Sequence, residues 1–335
     1  MQQQIPPVGT PLPPGTLGPD ALAPGWPAAP GGFDWLWESV RQQFWRPTDL
    51  AWSILDTDAY TPAQREAIAY WWSLLAAIEG LGPPTLAAAL VRAGEQHDED
   101  DVRWSLMAML RDEMSHEQLC RIAIQRLEPG WPLGYPPRTS LGRCAQRHLR
   151  QVYQDSDQFW HSYRRALDRH GLHAVTGALL LVKLTMAALY ERLAPCCAAP
   201  AFAAAFRHAA RDSQRHRAVL QALVARDWPA LTPHERSAVT AQVRSTAWWL
   251  SRVLLEPADG RPGPAGELTA SQRACAAAAS AAGFGVPTAE RRQELLRAAL
   301  LEVKEILGRY HISCPAVPQL AVGGTQEAEE VVHTG

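Results

Sequence analysis

Residues 109–118, MLRDEMSHEQ, hold the side chains best suited to chemistry in this chain. Within them lies Asp112-Glu113-x-x-His116, and on a helix Glu113 and His116 sit three residues apart on one face. A hard carboxylate oxygen and an imidazole nitrogen then converge on one cation, the donor pair that Glu-x-x-His supplies in metal-binding helical bundles. Glu79 lies upstream in an apolar, aromatic run where an unpaired buried charge would be expensive. Roughly one hundred residues downstream of the motif comes a partial echo, Arg211-Asp212-Ser213-x-x-His216. A lone Glu-x-x-His says little, because in a chain of this composition about 0.6 such spacings arise by chance. What sets this one apart is Glu79, the repeated Arg-Asp-x-x-x-His, and Asp112, placed to orient an imidazole from the facing half as an outer hydrogen-bond acceptor.

The elements that must position these groups read as helices throughout. Apolar residues recur with a period near 3.6, and no run alternates convincingly as a strand would. Thr61-Pro62 predicts an N-cap with proline at the first helical position, opening a helix over 63 to about 80. Gly82-Pro83-Pro84 is expected to break or kink it, with a further turn or two to residue 93. Helices then follow over 102–127, 140–170, up to 193, 201–226, from the Thr232-Pro233 cap to about 255, 269–282 and 288–310. The Pro195-to-Pro200 stretch reads as a turn, and the aromatics of 33–37 and 44–45 surround a short helix ending before Pro47. The fold class is all-α, and short loops between Leu/Ala-rich helices favour antiparallel neighbours in a bundle.

The composition removes several functions. Net charge is -2 with 20% charged residues, so no basic field points to nucleic acid or an anionic membrane. Six cysteines without a CxxC pair read as reduced thiols, and the start lacks a signal peptide's charged and apolar regions, so a cytoplasmic location is expected. The most apolar segment, 174–189, is interrupted by Lys183 and too short for a bilayer; it reads as a buried helix, and no membrane partner is expected. Residues 1–32 are Pro/Gly-rich and expected to be disordered, as is the tail 313–335. The bundle itself is assigned to 33–228, with 229–312 as C-terminal helices packing on it or forming a homodimer surface that includes Trp248-Trp249.

The order Glu79, about thirty residues, then Asp112-Glu113-x-x-His116 resembles the ferritin-like di-iron carboxylate superfamily. The FWRPTDLAW stretch also looks like its ribonucleotide reductase small-subunit and arylamine N-oxygenase branches. The resemblance covers roughly 35–225 and implies a four-helix core with additional helices, in which each half supplies a Glu and then Glu-x-x-His to two irons that activate dioxygen. It implies metal-ligand roles for Glu79, Glu113, His116 and His216. Iron is the expected metal, with manganese as an alternative. Dioxygen, a small organic substrate and an external electron donor are the expected partners. An N-oxygenase-like step in secondary metabolism is the activity implied; a scaffold or partner-binding protein that has lost its second metal is the alternative. No residue is singled out as catalytic.

The second half departs from this pattern. Ser213 stands at the position of Glu113's counterpart, and a serine hydroxyl is a poor iron ligand. In an antiparallel pair, residues equally far from the turn lie at equal depth. Counting back from Pro195 as far as Ser213 lies beyond Pro200 reaches Val182, beside Lys183. Glu191 is nearer the turn, displaced by roughly 12 Å at 1.5 Å per residue. Lys183 is therefore the candidate for the missing glutamate position, where a buried ammonium would neutralise Glu79 or Glu113 in place of a second metal. A different ligand set is also open: His208, Asp212 and His216 are spaced four and four, similar to haem-oxygenase-like di-metal oxidases, although Arg215 departs from that pattern. Tyr190, seven residues from Lys183, shares nearly its helix face. The tryptophans, Trp71-Trp72 among them, serve as core packing or as an electron relay.

Overall fold

A computed structural model describes residues 44–96, 100–132, 134, 136–255 and 264–309. The expected disordered ends, the aromatic stretch at 33–37 and most of the loop near 260 lie outside the described residues. Among the described residues there is no strand.

Thr61 accepts a hydrogen bond from the Gln64 backbone, and the Gln64 side chain accepts one from Thr61 N–H, so both ends of a capping box are made. Helix α1 (Pro62–Glu79) starts there and is buried almost all round. At Gly80 and Leu81 the helix tightens, with Leu81 N–H bonding the Ile78 carbonyl three residues back, and the chain resumes as α2 (Gly82–Glu95). The break therefore precedes the prolines. Pro83 and Pro84 occupy the first turn of α2, where a missing N–H costs nothing.

Helices α3 (Asp100–Leu127), α4 (Ser140–His170), α5 (His173–Cys196) and α6 (Pro200–Asp227) follow, then α7 (Pro233–Leu254), α8 (Pro264–Ala281) and α9 (Ala289–Gly308). Gly171 ends α4 with φ 86°, a conformation that other residues adopt only under strain. The expected Pro195-to-Pro200 turn is present but shorter: α5 continues through Pro195 to Cys196, and the chain reverses over residues 197–199 before α6.

α1–α2 pair with α3, and α5 pairs with α6; these two pairs face each other, and α3 contacts α6. The long α4 connects one pair to the other along α1 and α2. Outside this four-helix core, α7 packs on α4 and α5, α8 on α1 and α4, and α9 on α5 and α7. Both α1–α2 and α5 are long and apolar enough to cross a membrane by length and composition. For α5, whose helix outruns the segment expected from sequence, 89% of the apolar window is buried within the bundle. That burial accounts for its composition.

Trp72 of α1 knits the pairs together. It stacks on Phe206 of α6 at 5.0 Å, meets Phe202 at 5.5 Å, and touches Phe284 of the α8–α9 loop at 6.0 Å. Phe206 in turn stacks on Tyr190 of α5 at 5.7 Å. Trp72→Ala would open a large hole in this cluster and is expected to cost about 3–5 kcal/mol. Urea unfolding should show a lower midpoint at unchanged slope; an unchanged midpoint would mean that the cluster does not hold the pairs together.

Candidate metal centre

Glu79, Glu113 and His116 come together between the helix pairs, all fully buried, with one donor atom from each lying within 4.8 Å of the other two. His116 Nδ1 faces Glu79 Oε2 at 3.3 Å and Glu113 Oε1 at 3.4 Å. From the facing helix, His216 Nδ1 approaches the same Glu113 oxygen at 3.2 Å. Tyr190 donates its hydroxyl hydrogen to Glu79 Oε1 at 2.5 Å.

The outer nitrogens are held reciprocally. His116 Nε2 lies 3.2 Å from Asp212 Oδ2 on α6, and His216 Nε2 lies 3.1 Å from Asp112 Oδ2 on α3. Arg215 binds both aspartates, reaching Asp112 at 3.0 Å. The repeated Arg-Asp-x-x-x-His thus becomes a crossed pair, because α3 and α6 present their motifs at the same depth. Trp45 donates its indole N–H to Asp212 Oδ2 at 2.8 Å, completing a path Trp45–Asp212–His116.

Lys183 reaches the centre from α5. Its Nζ lies 2.6 Å from Glu113 Oε2 and 3.8 Å from Glu79 Oε2. Close approach on the other side depends on Gly82: a Cβ there would fall 2.1 Å from Glu113 Oε2, so any side chain would evict the carboxylate.

Other sequence candidates lie elsewhere. Glu191 is exposed on the outside of α5 and accepts a hydrogen bond from Gln214, so it does not face the centre. His208 is half-buried, stacks on Trp45 at 4.8 Å and pairs with Arg211. It therefore does not converge with Asp212 and His216, whose four-residue spacings put them on one helix stripe but at different heights. Asp212 binds Trp45, Arg215 and the outer nitrogen of His116. Trp45, Arg215 and Gly82 were not among the sequence's site residues. The signal for Arg215 was its place three residues after Asp212, on the same helix face; no sequence signal distinguished Gly82 from an ordinary helix-breaking glycine.

Burial opposes charge on every one of these groups, and the neighbours decide. For Glu113 burial raises the pKa, but Lys183 first, then His116 and His216, hold it well below the usual carboxylate range. His116, disfavoured as a cation by burial, is raised well above an ordinary histidine by Glu79 and by its contacts with Asp212 and Glu113. Asp212 is lowered, against burial, by His116, Arg215 and Trp45. Lys183 is raised, against burial, by Glu113 and Glu79. Tyr190 is raised by burial and by Glu79, which keeps its proton in place.

The donor set fits one transition-metal ion. Glu79, Glu113 and His116 offer mixed oxygen and nitrogen donors, each imidazole points Nδ1 inward with Nε2 anchored on a carboxylate, and neither Glu113 oxygen nor His216 Nδ1 makes a well-directed hydrogen bond. A second ion is not fitted: Lys183 brings positive charge where a carboxylate would be needed, and the Ser213 hydroxyl is buried without a hydrogen bond.

No family model and no curated protein matches this chain. Among solved structures, it is similar to a Bacillus halodurans protein described provisionally as a class I ribonucleotide reductase. The two share a TM-score of 0.52 and 13% identity, over 86% of this chain and 96% of the other. The fold is ferritin-like. At this identity the ferritin-like likeness conveys architecture alone, and the centre's chemistry rests on the residues above.

Lys183→Met leaves Glu113 buried without its cation and is expected to cost about 3–5 kcal/mol in chelator-containing buffer. Added Mn(II) or Fe(II) should recover much of this loss; an equal loss with and without metal would reduce Lys183 to a packing role.

Stability of the metal-free protein should be bell-shaped in pH. The lowered carboxylates Glu113 and Asp212 contribute fully above the unfolded carboxylate range and lose that contribution as pH falls below about 4. The raised His116 contributes fully below about 6.5 and loses its contribution as pH rises toward its folded value. Urea titrations should therefore peak between these limits; stability that stays level above pH of about 7 would contradict a protonated His116.

Proposed function

We propose that this protein is a ferritin-like oxidoreductase that holds a single non-haem metal ion, iron or manganese, and uses dioxygen on a small organic substrate. The observation that carries the reading is the crossed anchoring: both histidines aim Nδ1 at Glu113 while an aspartate of the opposite helix holds Nε2. Histidines that merely pack have no need of such paired orientation. A bound ion would supply redox chemistry and dioxygen binding, with the protein setting geometry and excluding water.

Glu79, Glu113 and His116 would hold the ion, joined by His216 through its approach to Glu113. Lys183 would keep Glu113 Oε2 occupied, leaving Oε1 for the ion, and would provide the second positive charge without a second metal. Tyr190 fixes the Glu79 carboxylate by its hydroxyl. The hydrogen-bonded run from Trp45 through Asp212 to His116 offers an external donor a route for an electron to a metal ligand. A nitrogen-bearing substrate is the class that the sequence resemblance implies, and it comes by analogy of fold.

One observation favours a second reading. The Lys183–Glu113 pair at 2.6 Å already balances charge without metal, as a scaffold that has abandoned catalysis would require.

Protein expressed in iron- and manganese-supplemented medium should carry about one metal per chain, with affinity about 10–100-fold lower in Asp212→Asn and in Asp112→Asn. Elemental analysis decides: two ions per chain would overturn the single-metal centre, and none, with the variants folding as well as the parent, would leave the scaffold.

A further inference from the structure

Phe159 of α4 and Trp249 of α7 stack at 4.2 Å with their planes 11° apart, both almost fully buried. Trp249 is fixed by donating its indole N–H to Ser156 Oγ at 3.1 Å. This stack is a wall shared by two spaces. On its inner side a narrow apolar crevice of about 20 Å³ passes Leu81, Gly82 and Val182 and reaches Lys183. On its outer side lies a groove of about 430 Å³ between α4 and α7, lined by Trp248, Arg165, His161 and Ser245. That volume is in the range of small-molecule sites, whereas the crevice admits little more than a diatomic gas or one water.

The groove has a defined chemistry. Trp248 is 39% exposed, unusual for so large an apolar ring, and the Arg252 guanidinium steadies it from 5.6 Å. Arg164 is neutralised by Asp168 one turn on, but its neighbour Arg165 has no ion-pair partner among the described residues. His161, which also lines the groove, faces Asp157 at 3.6 Å, so that neighbouring carboxylate already has a partner. Aromatic surface beside an uncommitted guanidinium suits a flat ring bearing an anion.

We infer that this groove is a binding site for a small planar aromatic carboxylate, its ring against Trp248 and its carboxylate on Arg165. The ligand would lie outside the Phe159–Trp249 wall, one aromatic layer from the crevice that leads to Lys183. Binding stands on the groove alone; only the ligand's fate as a substrate rests on the oxidoreductase reading.

The test is a titration of the full chain, as purified, with 2-naphthoate and with neutral 2-naphthalenemethanol, followed by calorimetry and tryptophan fluorescence. Naphthoate should bind about tenfold or more tighter than the alcohol. Arg165→Gln should erase that preference, and Trp248→Ala should weaken both ligands; circular dichroism checks that these surface variants fold. Equal affinity for the two probes, no binding of either, or a preference unchanged in Arg165→Gln would overturn the site. Because the titration needs no metal, its failure is distinguishable from a failure of the metal reading, which metal content reports separately.

Discussion

Four carboxylates, Glu79, Asp112, Glu113 and Asp212, are buried in the middle of this bundle, and the structure is arranged around balancing their charge. In a low-dielectric interior, each unpaired carboxylate would be strongly unfavourable. Lys183 and Arg215 supply two cations, and His116, facing carboxylates through both ring nitrogens, becomes a third. Balancing Glu79 and Glu113 accounts for Lys183, the buried ammonium of the mostly apolar α5. Arg215 explains how two aspartates on opposite helices can sit so close together.

The same balance links folding to the centre's chemistry. A metal at Glu79, Glu113 and His116 would compete with the proton on His116, while Lys183 can stay on the other Glu113 oxygen. The helices that carry these groups are held in register by the Trp72, Phe202, Phe206 and Phe284 cluster, which continues through Phe206 to Tyr190 and so to Glu79. Packing and ligand orientation are therefore one network, and strain in the aromatic cluster would be felt at the carboxylate. Gly82 contributes by absence: the space left by its missing side chain is filled by Glu113.

The two halves repeat a plan but no longer do the same work. Asp112 and Asp212 each anchor the opposing histidine, so the outer hydrogen bonds of the centre are repeated in both halves. At the other two positions of the second half Lys183 compensates the charge of Glu113 and Glu79, and Ser213 brings only a buried hydroxyl. One ion, or a protonated His116 in its place, satisfies what remains.

By itself the sequence determined the helical class, nearly all helix limits, and the first-half cluster, because these depend on local periodicity, capping and spacing along one helix. Ser140 to His170 is a helix whose charged and apolar residues segregate by face, and Glu113 with His116 is a pair within one turn. Depth counting reached Val182 opposite Ser213 and so pointed to Lys183 beside it, which the structure brings to Glu113 and Glu79. Tertiary structure alone decided which donors face inward. His208, Asp212 and His216 share a stripe, yet one stacks on Trp45, one anchors an imidazole and one turns to Glu113. Glu191 looked a plausible donor by type but points outward. Trp45, far from its partner in sequence, reaches Asp212 only through the packing of the chain before α1 against α6. Such contacts join residues more than a hundred positions apart, and no local pattern encodes the angle at which two helices meet.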